Sequence, residues 1–232
     1  MCRPLGAAVA VGFAAVGRAR GGRPLHPQGN VLDGTLTRTG QGPPSGISWV
    51  DAPGDDPVLA RLSRSAGFPR ALPDVLGLAC AAGLTGQPVD LLMATTGLGA
   101  ITRWVPALHR QLTGATLSTI IPLRGATEPV LLAGVVTHDQ ELSSDLRGLA
   151  TTTPAYPLTV TLLHASPQGP WHTFGHATLH HPAPGIQPVD TALRFDAVRN
   201  PPVGRRLGPN TARALLRRGA GTDASSARCV GH

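Results

Sequence analysis

Residues 23–40, RPLHPQGNVLDGTLTRTG, place the strongest constraint on what this chain can fold into. Residues 30–38 alternate between the two faces of an extended chain, with turn-forming glycine and proline before them and Gly40 after them. Such alternation, bounded by turn residues, is typical of a half-buried β-strand. We therefore predict a first strand over 30–38, with His26 as a candidate functional side chain just before it.

The rest of the chain is divided by the same turn chemistry, because the chain carries 29 glycines and 23 prolines and is only 3% aromatic. This composition favours short strands over a helical bundle. Seven further strands are predicted, near 58–63, 75–82, 88–95, 116–123, 129–137, 158–166 and 171–181. Eight strands at this spacing predict an α+β, mostly β domain built on a closed antiparallel eight-stranded β-barrel, with a sandwich as the alternative.

The remaining segments predict a few flanking helices around one domain over 23–218. Residues 1–22 are expected to form an N-terminal helix or a weak hydrophobic segment, and 219–232 a disordered tail. The other predicted segments are a loop over 41–57, short helical turns over 98–112, a short helix over 140–149, a docking strand over 191–198 and an amphipathic helix after it.

The formal charge of +7 comes from arginine without any lysine, and most of these arginines are dispersed along the chain. A solvated basic surface is therefore favoured over a nucleic-acid partner. Three scattered cysteines are too few for a disulfide framework and indicate a reducing cytoplasm. The apolar run 5–17 is too short to span a bilayer, and it leaves export or peripheral membrane attachment as the alternative.

A pair of polar residues lies on the second predicted strand. Apolar residues at 58, 60 and 62 share one face, so Arg61 and Ser63 share the other face and can address a single site. The pair would bind an anionic group inside the barrel, or it would form a structural polar contact with Asp74 or Asp90.

The order of these motifs resembles the haem-binding core of the catalase superfamily. The matching stretches are RPLH with GNVLDGTLTRT, PVLARLS, DVLGLA, PVDLLMATTG and LRFDAVRNPPVGRRLGPNTAR. The resemblance implies a catalase-like barrel with haem as cofactor. It places His26 as the distal histidine, Arg23 and Arg61 on the haem propionates, and Ser63 behind the histidine.

Two departures from the family pattern limit the activity that this resemblance implies. The position of the family's distal asparagine falls on Ala94, and the single tyrosine, Tyr156, does not lie in the R-x-x-x-Y helix that supplies the family's axial ligand. The expected function is a degenerate haem domain with weak peroxide-dependent oxidoreductase activity. The alternatives are a non-catalytic barrel that binds a small ligand or a partner, and a hydrolase of the kind labelled phosphodiesterase, for which no metal motif is found.

Histidines and a cysteine offer two further candidates. His172 and His176 lie about 13 Å apart on an extended strand, too far to share an ion, so no metal site is predicted. The cluster at 164–181 is instead expected to be surface histidines. Cys80 lies among small apolar residues and is predicted to fill core space, with a thiolate haem ligand as the alternative.

Overall fold

The computed structural model describes residues 29–65, 68–69, 71–82, 88–146, 157–182, 195–197 and 199–202. Its short helices are α1 (Ser48–Asp51) and a 3₁₀ turn (Thr102–Trp104). The strands are β1 (Gly29–Arg38), β2 (Gly54–Arg64), β3 (Leu76–Ala82), β4 (Val89–Thr95), β5 (Thr116–Ser118), β6 (Leu123–Arg124), β7 (Pro129–Thr137), β8 (Leu158–Ala165) and β9 (His172–His180).

These strands close into a ring. Their hydrogen-bonded order is β5, β4, β3, β2, β1, β9, β8, β7, and a further pairing of β5 with β7 joins the two ends. All of these pairings are antiparallel, and β6 adds a short extra ladder to β7 outside the ring. The predicted closed eight-stranded antiparallel barrel is therefore confirmed, and closure leaves the ring without a free sheet edge.

The barrel interior is filled by apolar side chains. Alternate residues of neighbouring strands meet there, as Leu32, Ala60, Cys80 and Leu91 do across β1 to β4. Each large aliphatic side chain buried in this way contributes about 1.5–3 kcal/mol, so the filled interior is a principal source of stability. Arg61 and Ser63 lie on the opposite face of β2 from Ala60 and Leu62, so the alternative in which they bind an anionic group inside the barrel does not fit this packed interior.

Cys80 belongs to this interior and is 3% exposed. Burial raises the pKa of its thiol to about 12. The buried thiol therefore fills core space, as predicted.

With Cys2 and Cys229 replaced by serine, native protein is expected to resist Ellman's reagent at pH 8, because the remaining Cys80 thiol is buried, and to react after unfolding in guanidinium. Equal labelling rates in both states would contradict this assignment.

Three local expectations are corrected. The 41–57 loop contains α1, and β2 already begins at Gly54. The predicted fifth strand over 116–123 is split into β5 and β6, because Ile120 between them has φ 56° and cannot continue an extended strand. The helix expected over 140–149 is not formed by its described part, where Ser143 instead bridges to Gln111.

Other expectations fall partly or wholly outside the described residues. Those are the segments 1–22 and 219–232, and the candidates Arg23, His26 and Tyr156.

The short helical turn expected over 98–112 is present as the 3₁₀ turn, and the hairpin of β8 and β9 is present as predicted. No helix within the described ranges is long and apolar enough to cross a bilayer.

Candidate functional site

Arg61 and Ser63 project from β2 on the face that points away from the barrel core, as their spacing predicts. Both are nearly inaccessible to solvent, at 4% and 3% exposure. The register places Ser63 between Gly29 of β1 and Gly77 of β3. An arginine and a hydroxyl therefore lie side by side on the outside of the barrel, shielded from water.

The neighbouring strands extend this face with small and apolar residues. Ala79 lies opposite Arg61, and Leu92 lies opposite Ala79; Gly77 and Ala94 form the adjacent row. Leu92 is 44% exposed, so the apolar side of the face opens to solvent. We call this surface the outer wall and define it by Arg61, Ser63, Gly77, Ala79, Leu92 and Ala94.

Gly29 determines how Arg61 lies on the outer wall. A Cβ atom on Gly29 would stand 2.7 Å from Cζ of Arg61, which is closer than van der Waals contact permits. The guanidinium group therefore occupies the space that a side chain at this position would fill. Gly29, the first residue of β1, thus has a physical role, since its missing side chain leaves room for Arg61 to pack against the start of the strand.

The threonines beside Ala94 are committed to structural hydrogen bonds. Thr95 Oγ1 donates to the Ala107 carbonyl at 2.6 Å and accepts from the Leu76 amide at 3.0 Å. Thr96 Oγ1 donates to Ser118 Oγ at 3.1 Å. Both threonine hydroxyls are therefore engaged in contacts within the barrel.

The two aspartates considered as partners for Arg61 each have other contacts. Asp74 is fully buried and pairs with Arg64, with Arg64 Nε 3.2 Å from its Oδ2 atom. Asp90 accepts hydrogen bonds from the Asp196 backbone amide and the Asn200 side chain, both at 2.8 Å. Asp90 therefore docks the described part of the following segment onto β4. Of the docking strand predicted over 191–198, residues 195–197 are described and form no strand.

A second group of polar side chains lies on the other side of the barrel, and sequence spacing did not reveal it. His164 and His172 are cross-strand partners in the β8 and β9 hairpin, with ring centroids 5.6 Å apart. One feature of the sequence could have indicated this pairing: both histidines lie four residues from Gln168, in the turn of the hairpin. His164 is 5% exposed, so the expectation that the 164–181 histidines are all on the surface is wrong for this residue.

His164 is held in a polar environment. Burial lowers the pKa of its imidazole, and the nearby His172 lowers the pKa further, while Asp51 and a hydrogen bond to the Pro43 backbone act in the opposite direction. The ring also packs 6.2 Å from the ring of Phe174. A cleft of about 140 Å³ opens in front of the two histidines, lined also by Ser45, Glu128 and Ser166.

Comparison with known proteins gives a structural likeness alone. No family model matches the chain, and no curated protein matches it in sequence. Solved structures that resemble it include a fungal catalase (TM-score 0.47, 11% identity), catalase A from Saccharomyces cerevisiae (0.43, 11%) and a bacterial catalase (0.45, 12%). The matches cover 69%, 69% and 68% of this chain and 50%, 52% and 48% of those chains, so it spans about half their length.

Proposed function

We propose that the outer wall binds haem, and that the protein is a catalase-like haem domain with weak peroxide-dependent oxidoreductase activity. One observation carries the proposal: buried Arg61 and Ser63 share a face with the small and apolar residues of β3 and β4. The motif order in the sequence adds to it. Haem is a flat apolar ring with carboxylates at one edge, and this wall presents matching chemistry in the same arrangement.

The fit to haem is good at the carboxylate edge. A guanidinium group binds a carboxylate through two parallel hydrogen bonds, and burial strengthens such charge-assisted bonds. Arg61 supplies this group on the wall, and Arg23 would supply a second one. Leu92, Ala79 and Ala94 offer an apolar surface for the ring.

The fit is poor at the position of the distal amide, because Ala94 has no hydrogen-bonding group and its threonine neighbours are engaged elsewhere. Bound haem would supply the redox iron for oxidation by peroxide. Among the side chains of this protein, His26 would accept and release a proton during that oxidation, since an imidazole titrates near neutrality. Ser63 would support that histidine, and without the amide the activity stays far below that of a catalase.

A second candidate function follows from the same wall. The absence of an amide at Ala94 favours a non-catalytic barrel that binds a different apolar carboxylate. Arg61 and Leu92 would then recognise the two ends of that ligand. The two functions differ in whether haem is bound tightly and with one-to-one stoichiometry.

Titration of the purified protein with haemin tests the proposal. We expect a saturable Soret band at one equivalent, and Arg61→Ala should weaken haemin binding at least about tenfold, as expected for loss of a charge-assisted hydrogen-bonded pair. Arg124→Ala, which removes an exposed arginine from β6, is the matched control and should bind as wild type does.

A second pair of variants keeps the test valid if Arg61→Ala folds poorly. Leu92→Glu introduces a carboxylate on the solvent-open part of the wall and should also weaken binding, whereas Ile101→Glu, at a position 80% exposed, should not. The absence of any saturable band, or equal binding by all four variants, would overturn haem binding at this wall. A screen of apolar carboxylates would then test the second function.

A further inference from the structure

The cleft at the β8 and β9 hairpin is independent of the outer wall. Its walls bring together His164 and His172, which the hairpin register holds opposite one another. A smaller cavity of about 100 Å³ adjoins it and is also lined by His164, together with Asp51 and Phe174. His164 therefore lines both spaces.

The charge of the cleft is opposite to that of the whole protein. The chain has 20 arginines and a net charge of +7, yet no arginine lines either cavity. The ionisable groups that line them are His164, His172, Glu128 and Asp51. Two imidazoles with two carboxylates nearby favour a cation over an anion.

Backbone hydrogen bonds orient one of the two carboxylates. The carboxylate of Asp51 is fixed by the backbone amides of Ser45 and Gly46 at 2.7 and 3.0 Å.

We propose that His164 and His172 bind a divalent transition-metal ion of the Zn²⁺, Ni²⁺ and Cu²⁺ class in this cleft. Two imidazoles that share an ion through bonds of about 2.1 Å place their ring centroids within about 6.5 Å of each other. The observed 5.6 Å meets that condition.

The remaining ligands come from Glu128 and water. As the described side chains stand, no three histidine, cysteine, aspartate or glutamate residues are grouped closely enough to hold an ion. Glu128 is an exposed residue on the cleft lining, and its carboxylate is the one that would complete the site. The site is therefore a two-histidine site with one flexible carboxylate, and its open positions face solvent.

Calorimetric titration of the full chain with ZnCl₂, after removal of bound metal with EDTA, tests the proposal. We expect one equivalent to bind in the cleft, and His172→Ala to lose that equivalent or bind it at least about tenfold more weakly, since even outer-shell changes cost that much. The matched controls are His176→Ala and His180→Ala, which remove exposed histidines from the same strand and should titrate as wild type does.

Glu128→Gln should weaken Zn²⁺ binding severalfold without altering the fold, because the residue is exposed. Electron paramagnetic resonance with one equivalent of Cu²⁺ should show two nitrogen ligands in wild type and fewer in His172→Ala. The proposal is overturned if His172→Ala binds Zn²⁺ as tightly as wild type, or if the two control variants lose as much binding. His172 is half-buried, so this test does not depend on changing the buried His164.

Discussion

Asp74→Ala is expected to lower the free energy of unfolding by about 3–5 kcal/mol, the usual cost of removing one partner from a buried ion pair. Asp74 is fully buried, and its Oδ2 atom accepts from Arg64 Nε at 3.2 Å and from the Phe68 amide at 3.1 Å. Removing the carboxylate leaves Arg64 buried with an uncompensated charge. Urea denaturation followed by circular dichroism measures the loss.

Arg64 has further partners that explain why this pair matters. Its guanidinium donates to the carbonyls of Leu72 at 2.9 Å and Ser144 at 3.1 Å, which joins two loops at the end of β2. The alanine variant should therefore loosen both loops.

Asp55→Ala provides the control for this prediction. Asp55 is exposed and, among the described residues, accepts a side-chain hydrogen bond from Thr37 Oγ1 at 2.6 Å. Its replacement should change stability by less than about 1 kcal/mol. Equal losses for Asp55→Ala and Asp74→Ala would show that the ion pair does not contribute as described.

Gly34→Ala is expected to destabilise the protein by about 3 kcal/mol or more, at the upper end of overpacking effects. A Cβ atom on Gly34 would lie 1.9 Å from the backbone carbonyl oxygen of Thr178. Because the obstructing atom belongs to the backbone, β1 and β9 must separate to admit the methyl group. That separation breaks ladder hydrogen bonds at the junction of the two strands.

The matched control is Asp33→Ala, which changes the exposed neighbouring residue of the same strand. It should alter the unfolding free energy by no more than about 0.5 kcal/mol. Thermal unfolding of the two variants gives the comparison. A Gly34→Ala protein as stable as Asp33→Ala would mean that β1 and β9 do not approach as closely as described.

The strands were largely predictable from the sequence, because a single buried face leaves a period-two pattern that turn residues interrupt. The spacing of residues 58 to 63 correctly placed Arg61 and Ser63 on one face. The pattern did not show which face was the inside of the barrel. That depends on ring closure between β5 and β7, which are separated by the irregular residues around Ile120.

Cross-strand neighbours were the least predictable feature. The spacing of His172 and His176 along one strand correctly excluded a shared ion, yet the pairing of His164 with His172 arises across a hairpin. Likewise, Ala79 and Leu92 join Arg61 on the outer wall through the register of three strands. Register follows from turn geometry and packing together, so single-strand periodicity does not determine it.

Haem binding on the outer wall is tested by nuclear magnetic resonance of ¹⁵N-labelled protein during titration with haemin. Ferric iron broadens the signals of nearby amides. Signals of Ser63, Gly77, Leu92 and Ala94 are therefore expected to disappear first, before those of β7 and β8 across the barrel. Uniform broadening, or loss that begins on β7 and β8, would contradict it.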